Sequence, residues 1–471
     1  MKSDSRLERT PRLRNRIRAT HSASLLLAVI GVMAVGSQIF VSTARTSTAA
    51  SLPGDLNAGR EGHTATLLNN GKVIIVGGYP ISPAEFLDCE LYDTKTGIWS
   101  ITGNLRTARN SHTATLLING KVLVAAGTSG VFDNNPFNTA ELFDPATEEW
   151  STTGNLITAR MEHTATILSD GRVLVIGGFN FLGTNFPGVL SSAELYNPET
   201  GIWNETGDLK TPRYRHTATL LQNGKVLVAG GMGDRDLIDS AELYDPDTGM
   251  WSPAGKINTP RYYHTAALLQ NGKVLVAGGV IRNFPIGSAE LYDPDTEMWK
   301  TTGSLNQPRL YPATVLLSGK VLIAGGNTAE LYDPETEKWS LTTRLNAPRL
   351  YHTTTLLPDG RVLAAGGSSV FSSVGILKSS ELYDPDTETW SGPIVPVITG
   401  TLATGKKLVL FGENFGPDAV ILRNGIVLQT KNSGDTGELV AKKGAKKIKP
   451  GDKLQVLNPT GALSKEFVFA G

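Results

Sequence analysis

The stretch HTATLLQNGKVLVAGG, His216 to Gly231, is written again with small changes at His264 and at His63. Self-similarity of this kind constrains a fold more than composition does, because every copy must solve the same packing problem. All seven tryptophans stand in register: Trp99, Trp150, Trp203, Trp251, Trp299, Trp339 and Trp390. Their mean spacing is about 48 residues, the length of one supersecondary unit rather than of a domain. Arg60, Arg109, Arg160, Arg213, Arg261, Arg309 and Arg349 each stand three residues before a histidine, except that Pro312 takes that place in the sixth copy. A glycine pair ends each apolar run, with Ala126-Gly127 the exception, and Glu-Leu-Tyr/Phe and then Trp follow.

Each copy is expected to hold four strands. The runs HTATLL and KVLVAGG are short β-type segments joined by Asn-Gly or Asp-Gly, as at Asn70-Gly71, Asn223-Gly224 and Asp359-Gly360. Such pairs point to a two-residue hairpin of type I′, which needs positive φ twice. The third strand, such as SAELYD at 240–245, runs into DPDTG, where Asp opens a turn and Pro fits its second position. The fourth strand begins at Trp. A unit this small cannot cover its own faces, so units must stack around an axis.

This pattern resembles the kelch repeat family across residues 51–392, and the resemblance implies an all-β fold, a seven-bladed kelch-type β-propeller. The segment SLPGDL at 51–56 echoes TTGNL and is expected to supply an extra strand piece that closes the ring. From Pro393 the repeat stops. Residues 393–471 give about six short strands separated by Gly, Pro and Asn turns, a small immunoglobulin-like β-sandwich. That segment resembles the IPT/TIG family through Pro396, Gly412-Glu413-Asn414-Phe415, Asn458-Pro459, Phe467 and Phe469.

Antiparallel units alternate their connections between two ends. One class is uniform here, made of the Asn-Gly hairpins and the DPxT turns. The other class is individual. After the glycine pairs come YPISPAEFLD, TSGVFDNNPFNT, FNFLGTNFPGVLSS, MGDRDLIDS, VIRNFPIGS, then NT, then SSVFSSVGILKSS. The two residues between Arg and His vary as well. Variable loops on a rigid scaffold are where binding concentrates. The candidate ligand-binding residues are therefore Glu162, Tyr214, Arg215, Tyr262, Tyr263, Tyr311 and Tyr351, ringing part of the channel mouth. Tyrosine offers an apolar ring with a polar tip and Arg adds forked donors, a surface suited to sugar rings or extended peptides.

Charge and termini bound the partners. Residues 1–21 carry seven Lys/Arg against two Asp/Glu, and Leu25 to Val41 is an apolar run followed by STAAS at 47–51. That order is a secretory signal, with an uncleaved membrane anchor through residues 25–41 as the alternative, and it places the body outside the cytoplasm. Residues 1–50 are set apart from the fold. Residues 51–392 hold 25 basic and 36 acidic groups, a net −11, which argues against nucleic acid. Cys89 is the one cysteine, so no intramolecular disulfide or cysteine metal cluster is available. The periodic histidines are expected to hydrogen-bond inside each blade, and the Arg and Glu of each copy to pair. The acids of DPDTG are turn residues rather than a calcium loop. No catalytic residue, metal site or cofactor is expected.

The expected function is that of an exported, non-catalytic protein that recognises protein or glycan through its variable face. The alternative is an extracytoplasmic copper-radical oxidase acting on carbohydrate. RLYHTTTLLPDGRVLAAGG at 349–367 resembles the copper segment of the galactose oxidase family, which implies Tyr351 and His352 as ligands. The chain departs from that family in two ways. Cys89 precedes Glu90 on a third strand instead of lying in a loop near the axis, and no histidine follows His352.

Overall fold

A computed structural model describes residues 53–469, apart from 81–86, 130–134, 182–187, 310–312, 370–374, 393–396, 405–406, 414–419, 433–437, 443–447 and 458–463 and the single positions 425, 429 and 465. Residues 1–50, on which the signal or anchor expectation falls, lie outside the described residues. Among the described residues every regular element is a strand.

Seven four-stranded antiparallel sheets run through residues 64–391, each built from four consecutive longer strands in the order first, second, third, fourth. The fourth unit is representative, with strands Thr217–Leu220, Val226–Ala229, Ser240–Asp245 and Met250–Lys256. First strands of successive units lie side by side, and Thr353–Leu356 of the last unit lies beside Thr64–Leu67 of the first, so the ring of sheets closes. This is a β-propeller. Fourth strands begin one residue before Trp, at Ile98, Glu149, Ile202, Met250, Met298, Lys338 and Thr389.

The first hairpin differs from expectation. Gly71 is left-handed (φ 83°), but Asn70 is not. Gly71 N–H donates to the Leu68 carbonyl at 2.9 Å and Leu68 N–H to the Lys72 carbonyl at 2.8 Å, a type I turn followed by a glycine bulge. Asn70 serves instead through its side chain, whose Oδ1 accepts Lys72 N–H at 3.0 Å. The same bond recurs at Asn223 (3.1 Å) and Asp359 (3.0 Å), which explains why either Asn or Asp fits there.

Units cohere through layers between neighbouring sheets. Leu174, Ile176 and Leu195 of unit 3 pack on Val226, Val228, Tyr244 and Trp251 of unit 4. Fully burying one such aliphatic or aromatic side chain stabilises by about 1.5–3 kcal/mol. The aromatic pair of each copy is tilted at 5.0–5.2 Å, as in Tyr244–Trp251, and Trp251 Nε1 donates to the Gly207 carbonyl at the end of the preceding unit. The glycine pair stitches consecutive units. Gly78 N–H donates to the Arg109 carbonyl at 3.0 Å, and a Cβ on Gly77 would collide with that same carbonyl.

Residues 53–58 do cross the closure of the ring, but as an irregular segment rather than a strand. Leu56 N–H donates to the Lys378 carbonyl at 2.8 Å, Gly54 N–H to the Gly97 carbonyl at 2.8 Å, and Ser380 Oγ to the Gly54 carbonyl at 2.6 Å. Among the described residues the C-terminal segment shows eight strands where about six were expected, in two four-stranded antiparallel sheets. Leu408, Leu410, Leu439 and Ala441 of one sheet share a core with Ile421, Leu454 and Val456 of the other.

Candidate functional site

The arginine of each copy anchors the segment that carries the site. Arg213, fully buried, donates to the Gly230 and Ser240 carbonyls (3.0 and 2.8 Å) and to Glu242 Oε1 at 2.8 Å. Glu242 also accepts Lys210 and Thr211 N–H, so no donor or acceptor of the pair is left idle on that side. All seven copies make this pair, with N–O separations of 2.6 to 3.1 Å. The expected pairing of Arg and Glu is thus realised within each unit.

The histidine three residues further on is buried, and its partner lies outside its own sheet. His216 Nε2 meets Thr164 Oγ1 of the preceding unit at 2.9 Å, and His63, His112, His163 and His264 repeat the contact at 2.9–3.0 Å. Hydrogen bonding inside one blade is therefore corrected to bonding between blades. The reason is that the first strands adjoin at the axis, so the hydroxyl across the seam is the one within reach. Burial first, and the neighbouring arginine second, push His63, His112 and His264 down to about 3, so these imidazoles stay neutral.

Between Arg and His the chain turns through the left-handed region. Gly62, Ser111, Glu162, Arg215, Tyr263 and Tyr351 have φ between 50° and 64°. Their backbones join across units: Glu162 N–H donates to the Ser111 carbonyl (3.3 Å), Arg215 to Glu162 (3.2 Å), Tyr263 to Arg215 (3.3 Å) and Gly62 to Tyr351 (2.9 Å). This annulus, at one end of the ring of first strands, is the mouth of the propeller. The first residues of the variable loops flank it, because among the described residues the one after the arginine pairs antiparallel with the one after the glycine pair: Tyr214 with Met232, Tyr262 with Val280, Leu350 with Ser368.

Side chains converge on the mouth. Glu162 accepts from Arg215 Nε at 3.2 Å and Nη2 at 3.3 Å, and from Tyr263 Oη at 3.4 Å across an intervening unit. The Arg215 guanidinium lies 4.3 Å from the Tyr263 ring centroid and 5.4 Å from that of Tyr214. Burial works to lower Arg215, but Glu162 and Tyr263 outweigh it and raise its pKa. Burial and then Glu162 push the Tyr263 phenol upward. Tyr351 is half-exposed, at 52%.

The sequence-predicted residues thus divide. Glu162, Arg215, Tyr263 and Tyr351 stand on the annulus. Tyr214 and Tyr262 sit one residue back, Tyr214 against Phe179 at 4.9 Å and Tyr262 against Tyr263 at 5.4 Å. Tyr311 lies outside the described residues. Sequence reasoning missed Tyr79, whose hydroxyl donates to Asn110 Oδ1 at 2.6 Å, and Phe179. Both immediately follow a glycine pair, a position that the bridge pattern brings beside the annulus.

A copper centre does not fit these residues. Tyr351 faces solvent while the adjacent His352 is buried at 4% exposure. Cys89 is sealed among Leu105, Val124 and Trp150, and burial pushes its thiol up to about 12. Among the described residues no group of three or more His, Cys, Asp or Glu is placed to hold a metal. The DPDTG acids are occupied by their turns, as Asp245 Oδ1 accepts Asp247 and Thr248 N–H at 3.1 and 3.3 Å.

Four-stranded sheets with paired glycines and in-register Tyr and Trp define a kelch-type β-propeller. The chain matches the KLHDC2/KLHL20/DRC7 Kelch-repeats domain over residues 35–206, 133–326 and 183–367, and it belongs to that kelch-repeat family. It is similar to spermatocyte protein spe-26 of Caenorhabditis elegans, 36% identical over 20% of this chain and 15% of that protein. It is similar to an F-box/kelch-repeat protein of Arabidopsis thaliana, 34% identical over 21% of this chain and 26% of that one. Kelch repeat and BTB domain-containing protein 12 of Danio rerio is 34% identical over 20% and 16% respectively. The matches thus span about a quarter or less of these relatives' length. A solved copper complex of a fungal alcohol oxidase of the AA5 family shares the fold, with a TM-score of 0.56, 16% identity, and coverage of 90% of this chain and all of that one.

Proposed function

We propose that this chain is an exported, non-catalytic binding protein. Its seven sheets act as the blades of a seven-bladed kelch propeller, and its C-terminal pair of sheets as an immunoglobulin-like module of IPT/TIG type. Recognition of a protein or glycan takes place at the mouth that carries Glu162, Arg215, Tyr263 and Tyr351, with Tyr214 and Tyr262 beside it and Tyr311, outside the described residues, as a further candidate. One observation carries the reading: the chain repeats its buried Arg, Glu, His and Trp almost without change, yet varies the mouth-facing residue from Gly62 through Glu162 and Arg215 to Tyr351. The kelch family supports a role in protein interaction. The AA5 likeness reaches the fold and not the donor set, so the oxidase alternative is set aside.

The test compares the two rims. Tyr351→Ala at the mouth is expected to weaken binding of any ligand of the propeller, whereas Gln222→Ala and Gln270→Ala on the uniform rim are expected to leave it unchanged. Loss on the uniform rim alone refutes the reading. A hydrogen-peroxide assay with sugars and alcohols is expected to show no turnover.

A further inference from the structure

We infer that the mouth takes an uncharged polyhydroxylated ring, a neutral sugar unit of a glycan. The inference rests on the rim reading above and names its ligand class. Glu162 and Arg215 neutralise each other across contacts of 3.2 and 3.3 Å. A cationic ligand would have to draw Glu162 from Arg215, and an anionic one Arg215 from Glu162. Either exchange leaves a half-buried charge without its partner, which opposes binding. Vicinal hydroxyls impose no such exchange, because one donates to the carboxylate while its neighbour accepts from the guanidinium. Glu61 adds negative charge near the same edge, beside Tyr79, and disfavours acidic sugars.

The apolar half of the recognition is present as well. Tyr351 offers an exposed ring, Tyr263 lies under Arg215, and Phe179 and Tyr214 meet edge to face at 4.9 Å. Flat aromatic surface beside a few polar groups suits the apolar face of a sugar ring. Presentation is built into the backbone. This position needs only a left-handed residue, which Gly62 supplies in the first unit. Units 3, 4, 5 and 7 instead force Glu162, Arg215, Tyr263 and Tyr351 into φ 53–56°. Strain held in bulky side chains that the fold does not require marks a surface kept for recognition.

The test is an array of neutral, acidic and amino oligosaccharides probed with the whole chain, followed by calorimetry with the best neutral hit. Neutral glycans are expected to bind with affinity that changes less than about twofold between low and high salt. Tyr351→Gly is expected to lower that affinity by at least about tenfold while leaving the melting temperature at or above wild type. Glu162→Gln, which keeps the shape and removes the charge, is expected to weaken it as well. Binding only to acidic or amino sugars, steep salt dependence, or no binding by folded protein overturns the inference. A protein ligand sensitive to Tyr351→Gly, with no glycan bound, defeats the sugar assignment and keeps the rim. A ligand indifferent to every mouth substitution defeats both.

Discussion

Acidification should destabilise this protein before its carboxylates titrate. His63, His112 and His264 are held near 3 by burial, against 6.5 for an exposed imidazole. A depressed histidine is neutral in the fold and takes a proton only when the chain unfolds. Its contribution is therefore complete above pH 6.5 and is lost as pH falls from there toward the folded value. Each such histidine removes about 1.4 kcal/mol per pH unit in that window, so the three together remove roughly 4 kcal/mol per unit and about 6 kcal/mol by about pH 5. His163, His216 and His352 are also held well below the ordinary value, by burial first, and steepen the fall. Loss of that size approaches the whole stability of a typical domain, ~5–15 kcal/mol. Urea unfolding followed by tryptophan fluorescence from about pH 7.5 to about pH 5 measures it directly. His112→Gln should reduce the slope by about 1.4 kcal/mol per pH unit. A stability that stays flat across this window would falsify the neutral, buried assignment of the histidines.

Three further outcomes follow from the same geometry. Glu242→Gln leaves Arg213 buried beside a neutral amide and should destabilise by about 3–5 kcal/mol, read as a lower urea midpoint; a change below about 1 kcal/mol would show the pair to be idle. Thr164→Val removes the hydroxyl facing His216 and should lose about 1–3 kcal/mol, checked by thermal melting at neutral pH. Tyr351→Gly should gain about 1 kcal/mol by relieving the left-handed backbone at φ 53°, and a clear loss in the same melt would contradict the strain argument.

The repeat made the architecture readable because residues with one buried role must recur in each copy. Arg213 and Glu242 announced their pairing by period alone, and Trp251 its layer. The first hairpin was misjudged since Asn-Gly serves two turn types, and only backbone geometry shows that Asn70 works through its side chain. The histidines were placed within a blade because spacing along the chain says nothing about which strand lies across the seam, where Thr164 waits for His216. At the mouth, the strand pattern put Tyr214 and Tyr263 on one end. It did not reveal that the residue next to the histidine takes the left-handed turn, nor that Glu162 reaches Tyr263 across a unit.

The most direct measurement replaces Glu162, Arg215, Tyr263 and Tyr351 together with glycine, the residue that the first unit already uses. The account predicts a protein that melts at or above the wild-type temperature and no longer binds any ligand the wild type binds. A variant that unfolds, or one that folds and binds as before, contradicts it.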